Sequence, residues 1–96
     1  MQGVVEVRMG TISEAELEDA GRHKAIKKLQ IVQQRNGKFG VVINLTWKEG
    51  AFTLITQRKN MREWASLDRL AHHIREAYVT VPNISLTLLS KQEIEK

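Results

Sequence analysis

The dipeptide Asn36-Gly37 constrains this chain more than any other feature. Both residues tolerate positive φ, and an Asn-Gly pair between two apolar-rich runs is a strong β-hairpin signal. Before it, residues 26–35 read IKKLQIVQQR. After it, residues 38–47 alternate, with Phe39, Val41, Ile43, Leu45 and Trp47 at every second position. Such alternation is strand periodicity, because successive side chains point to opposite faces. Lys48-Glu49-Gly50 marks a second turn, and residues 51–57 form a third strand with Phe52 and Leu54 on one face. An antiparallel meander over 26–35, 38–47 and 51–57 follows.

Two-residue turns at Asn36-Gly37 and Glu49-Gly50 would fix the register. Val41 would lie opposite Val32, Leu45 opposite Leu54, and Trp47 between Ile26 and Phe52. The core face would then collect Ile26, Val32, Phe39, Val41, Ile43, Leu45, Trp47, Phe52 and Leu54. The second face would carry Lys27, Leu29, Ile31, Gln33, Arg35, Lys38, Val42, Asn44, Thr46, Lys48, Thr53, Ile55 and Gln57. Leu29, Ile31, Val42 and Ile55 would make an apolar patch there, to be covered by an N-terminal helix or a second subunit, or used in direct contact with a ligand.

Either side of the meander, Val5, Val7 and Met9 alternate with Glu6 and Arg8, so 3–9 reads as a strand. Ser13 and Glu16 fit a capping box, starting a helix over 13–20 that Gly21 stops. Asn60 reads as an N-cap with Glu63 three residues on. Trp64, Leu67, Leu70, Ala71, Ile74, Ala77 and Tyr78 then share one arc of a helix over 61–78, with Arg62, Arg69, His73 and Glu76 opposite. Val79-Thr80-Val81-Pro82 ends it. Residues 84–89 alternate as a last strand, and the tail from Lys91 is polar. The expected fold is a single α+β domain: an antiparallel three- to five-stranded sheet with one main amphipathic helix on one face.

Chemistry narrows by exclusion. With no cysteine among 96 residues, disulfides and thiolate metal sites are out. His72 and His73 point about 100° apart on a helix, so they do not share a metal; His73, on the polar arc, would be solvated. The serines lack a glycine elbow with a His–acid partner. Gly37-Lys38-Phe39-Gly40 lacks the spacing of a phosphate loop. The acids Glu16, Glu18 and Asp19 read as a helix start. The expectation is a non-enzymatic protein with no cofactor or metal. No apolar run reaches the length of a membrane span, and Met1-Gln2-Gly3 does not open a secretory leader. A soluble cytoplasmic protein is the default expectation.

Charge gives the positive indication. Residues 22–62 hold ten basic side chains against Glu49 alone, whereas residues 1–21 hold five acids against Arg8. A basic block between neutral or acidic ends points to a polyanion. Phosphate contacts are expected from Lys27, Lys28, Arg35, Lys38, Lys48, Arg58, Lys59 and Arg62. Asn44, Thr46, Thr53 and Gln57 add amides and hydroxyls capable of reading base edges. Arg58, Lys59, Asn60 and Arg62 would precede a helix N-terminus, a natural phosphate site. The expected partners are nucleic acid, DNA ahead of RNA, and a second copy in a homodimer, with no membrane. The alternative is a protein-interaction module that homodimerises or binds an acidic partner through the second sheet face.

The stretches NGKFGVVINL and EGAFTLITQRKNMREW resemble the three-stranded-sheet-plus-helix DNA-binding domain of phage and transposon integrases. Thr56, Arg58, Lys59, Asn60 and Trp64 match its outline, and the resemblance covers residues 35–78. It implies a sheet inserted in the major groove, with Lys38, Asn44, Thr46, Lys48, Thr53 and Gln57 toward DNA. Val42 and Ile55 depart from that pattern. The strand order followed by an amphipathic helix also resembles single-strand-binding coactivators of the positive-cofactor-four type, which dimerise through the helix.

Overall fold

The structure is a computed structural model, and it describes residues 9–90. The expected strand at 3–9 and the polar tail from Lys91 lie outside the described residues, apart from Met9. Five strands and two helices follow in order: β1 Met9–Ser13, α1 Glu14–Arg22, β2 Ile26–Gln33, β3 Phe39–Leu45, β4 Ala51–Ile55, α2 Leu67–Ala77 and β5 Ile84–Thr87. The sheet order is β1-β4-β3-β2-β5. β2–β3 and β3–β4 are antiparallel, while β1–β4 and β2–β5 are parallel. The α+β class holds, but the sheet is mixed: an antiparallel meander flanked by two parallel edge strands. Parallel neighbours need long crossovers, and α1 and α2 lie in those connections.

The hairpin loop is one residue longer than Asn36-Gly37 alone. The Gln34 amide donates to the Lys38 carbonyl at 2.7 Å, and the Gly37 amide donates to the Gln34 carbonyl at 2.8 Å. Gly37 sits at φ 86. Arg35-Asn36-Gly37 is thus a three-residue loop closing on a left-handed glycine. The extra residue shifts the register. Ile31 lies opposite Val41, Leu29 opposite Ile43, and Val32 opposite Gly40. A one-residue slip exchanges the faces of a strand, so Leu29 and Ile31 are buried in the core and Val32 is not. Ile26 returns to the core side through an irregularity between Ile26 and Lys28, which leaves Lys27 exposed.

β3 ends at Leu45, and residues 46–50 form a loop rather than a tight turn. Ile43 pairs with Phe52 and Val42 with Thr53. Phe52 and Leu54 keep their expected face, because the shift from the expected pairing is even. Trp47 does not: it lies beyond the strand and is 68% exposed, not in the core.

At α1 the Ser13 and Glu16 side chains exchange hydrogen bonds with each other's backbone amides at 3.1 and 2.9 Å, completing the capping box. Gly21 does not stop the helix. It is buried against Tyr78 and Val79, and α1 runs to Arg22. The second helix starts later than expected. Ser66 caps it through the Arg69 amide, and Asn60 is the end of a turn closed by Thr56. Residues 61–64 instead run back across the strand ends, bridging Ile55 to Met61 and Phe39 to Trp64.

One core joins the layers: Ile12, Leu17, Ile26, Leu29, Ile31, Val41, Ile43, Leu45, Phe52, Leu54, Leu70, Ile74 and Tyr78 all bury there. Both helices therefore cover the same sheet face. α1 does not cover the second face.

Candidate nucleic-acid interface

The face away from the helices is built from alternate strand residues. It presents Thr11 from β1, Lys28, Gln30 and Val32 from β2, Val42 and Asn44 from β3, Thr53 and Ile55 from β4, and Ser85 and Thr87 from β5. These side chains are half-buried or exposed, where in β2, β3 and β4 most of their neighbours on the other face are buried; in β5 both faces stay open, with Ile84 and Leu86 exposed. With Leu29 and Ile31 turned into the core, the expected apolar patch keeps only Val42 and Ile55, joined by Val32, which was expected in the core. Met61 lies over Gly40 on this side: a Cβ there would come within 2.8 Å of the Met61 sulfur.

The five strands contain no aspartate or glutamate. The carboxylates of the described residues sit in the helices and loops: Glu14, Glu16, Glu18 and Asp19 in α1, Asp68 and Glu76 in α2, and Glu49 and Glu63 in loops. The acids thus avoid the sheet and concentrate in the helices, where Arg22, Arg69 and Arg75 accompany them.

The expected site residues divide into groups. Lys28, Asn44 and Thr53 share the uncovered face, with Lys28 opposite Asn44. The Asn44 amide nitrogen is engaged with the Gly50 carbonyl at 3.0 Å, which leaves its oxygen as a free acceptor direction. Arg35 and Lys38 in the β2–β3 hairpin and Gln57, Arg58 and Lys59 in the turn after β4 are exposed at one end of the sheet, where β2 and β4 finish and β3 begins. Glu63 joins that end through Asn36, whose amide donates to it at 3.3 Å. Lys27, Thr46 and Lys48 lie at the opposite end. Lys48 turns to the helical side, with Nζ 5.1 Å from the Phe52 ring centre. Gln30, Thr11, Ser85 and Thr87 were not expected on this face; knowing the hairpin loop length would have placed Gln30 there.

The helix-start phosphate site does not form. Arg58, Lys59 and Asn60 belong to a turn in which Lys59 sits at φ 72, well before the Ser66 cap. Arg62 is occupied on the helical side. Its Nη1 donates to Glu14 Oε1 at 3.0 Å, and its guanidinium stacks 4.7 Å above the Trp64 ring. The same carboxylate accepts from the Tyr78 hydroxyl at 3.0 Å and lies 3.1 Å from His73 Nε2. A carboxylate only accepts, so it is the Nε2–H tautomer of His73 that can donate to it. His73 is therefore not solvated: its side chain is 24% exposed, and its ring packs 5.2 Å from that of Trp64 and 5.4 Å from that of Tyr78. Burial, and then the Glu14 charge, raise the Tyr78 hydroxyl far above the ordinary phenol range. With both oxygens engaged, Glu14 joins α1 to α2 and to the 61–64 segment.

Among the described residues, no group of three His, Cys, Asp or Glu side chains is arranged to hold a metal ion. No helix among them is long and apolar enough to cross a membrane. No protein-family model, curated protein or solved structure matches the chain.

Proposed function

We propose that this chain is a non-enzymatic nucleic-acid-binding module, with DNA as its ligand, that holds phosphates on its uncovered sheet face and at the basic end beside it. The observation that carries this reading is the absence of carboxylates from all five described strands, beneath a face that neither described helix covers. A polyanion laid there meets Lys28, Gln30, Thr53 and the hydroxyls of Thr11, Ser85 and Thr87, with Arg35, Lys38, Arg58 and Lys59 at one end.

Two physical arguments shape the mode. Four inter-strand spacings make a five-stranded sheet about 19 Å wide, whereas the major groove of B-DNA is about 12 Å wide. The flanking parallel strands therefore favour contact along the backbone over insertion of the middle three strands. The uncovered face also carries no aromatic ring, since Phe39 and Phe52 lie on the core side. Base stacking, which supplies much of single-strand binding elsewhere, is not available on it. Affinity then comes from phosphate neutralisation, with steep salt dependence and little sequence discrimination.

Amide chemical-shift mapping with a short labelled oligonucleotide tests the surface. Shifts at Lys28, Gln30, Thr53, Arg58 and Lys59 support the reading. Shifts confined to α1 and α2 contradict it.

A homodimer is the second reading, and one observation favours it. β5 is an edge strand, and Ile84, Leu86 and Leu88 on and after it are 52%, 44% and 59% exposed. An uncharged, apolar edge invites pairing with another strand. Antiparallel pairing of β5 with its copy about a two-fold axis normal to the sheet would keep both uncovered faces on one side. Sedimentation equilibrium decides it: a dimer weakened by Leu86→Lys agrees, and a monomer at every concentration does not.

A further inference from the structure

A cleft of about 680 Å³ opens on the helical side of the sheet, and of the residues proposed to meet nucleic acid Thr11 alone, on the edge strand β1, borders it. Glu16 and Asp19 of α1, with His23 at its C-cap, line one side, and Trp47 and Lys48 of the β3–β4 loop line the other. Phe52 lies between them as the floor. That floor depends on Gly10, because a Cβ at Gly10 would come within 2.7 Å of the Phe52 ring. The volume is that of a small-ligand pocket.

Its contents point to a chemical class. Lys48 Nζ sits over two aromatic rings, 5.1 Å from the centre of Phe52 and 5.7 Å from that of Trp47. Both distances are within cation–π range, and paired aromatic faces are the arrangement that recognises quaternary ammonium groups. Trp47 leaves most of its surface in water at the mouth of the cleft, where it contributes little to the core. Two carboxylates line the same space. Glu16 Oε1 is taken by the Ser13 amide, and Asp19 pairs with Arg22 at 3.3 Å. Lys48 is the cation of the set, an exposed side chain with many rotamers on the β3–β4 loop.

We propose that this cleft binds a small organic cation of the alkylammonium class, which takes the place of the Lys48 ammonium between Trp47 and Phe52. With Lys48 swung out, the rings face the ligand and Glu16 and Asp19 supply the countercharge. Lys48 then acts as a tethered competitor that keeps the slot filled when the ligand is absent.

Calorimetric titration of the full chain with choline, and with its uncharged tert-butyl analogue, tests the proposal at constant ionic strength. The expected result is saturable binding of choline and about tenfold weaker binding of the neutral analogue. Lys48→Gln, which removes the competitor, tightens choline binding several-fold, and Trp47→Leu weakens it. Both positions are exposed, so circular dichroism will show both variants folded. Equal binding of the neutral analogue overturns the proposal, as does the absence of saturable binding to both the unaltered chain and Lys48→Gln. Neither result bears on the nucleic-acid reading, whose cations, Lys28, Arg35, Lys38, Arg58 and Lys59, do not line the cleft.

Discussion

The Tyr78 hydroxyl donates a 3.0 Å hydrogen bond to the Glu14 carboxylate, joining the residue that follows α2 to the first residue of α1. Burial and the Glu14 charge both disfavour the tyrosinate, so the hydroxyl titrates higher in the folded chain than in the unfolded one. Above about pH 10, the ordinary phenol value, the unfolded state therefore sheds a proton that the folded state keeps. Stability is full below that pH and falls as pH rises beyond it. Tyr78 is the sole tyrosine, so its tyrosinate absorbance should rise together with alkaline unfolding and not before it. Tyr78→Phe should lower stability at neutral pH and remove this alkaline slope.

Glu14→Gln removes the charge that receives Arg62, His73 and Tyr78. The expected loss is about 1–3 kcal/mol by chemical denaturation, the range for partly buried donors deprived of a charged acceptor. A loss indistinguishable from zero would mean the junction is not stabilising.

Ser13→Ala should cost about 1 kcal/mol, because it removes the cap of α1. The Glu16 carboxyl is held below its ordinary range by the Ser13 backbone hydrogen bond and then by the Ser13 hydroxyl. A group depressed in this way gives stability above its unfolded pKa that is lost as pH falls through the folded one. Ser13→Ala should therefore also flatten the acid limb of the stability curve.

Gly37→Ala should destabilise by about 1–2 kcal/mol, since φ 86 is a left-handed conformation that a Cβ disfavours. The same substitution in a loop without positive φ would be nearly neutral, so thermal melts of the variant check the loop geometry directly.

That loop also explains which parts of the molecule could be read from the sequence. Asn36-Gly37 announced the hairpin, but whether Arg35 belongs to the strand or the loop is not written in local periodicity. The answer decides whether Leu29 and Ile31 or Val32 enter the core. The alternation of β3 was legible as far as Leu45. Trp47 continued the pattern by spacing alone, after the pairing had ended. Ser13 and Glu16 were legible because a capping box needs only neighbours. Asn60 and Glu63 have the same spacing, yet the chain bridges Ile55 to Met61 and starts its helix at Ser66, since the extended segment gains pairing with Phe39. The parallel edges are contacts between residues far apart in sequence, such as Leu29 with Ile84, and no local pattern encodes them. The basic block was visible as a count, whereas its division between two faces and two ends depended on that register. His73 lies on the polar arc in sequence, and only the approach of Glu14 from α1 gives it a partner.

Binding of a labelled DNA duplex across a salt series tests the central claim most directly. Five cations on the proposed surface, Lys28, Arg35, Lys38, Arg58 and Lys59, predict a log–log slope of about −4.5 against salt. The double variant Arg58→Ala/Lys59→Ala should weaken binding and reduce the slope by about two, while circular dichroism remains unchanged. A slope near zero, or a steep slope that the double variant leaves unaltered, would contradict the assignment of this face to nucleic acid.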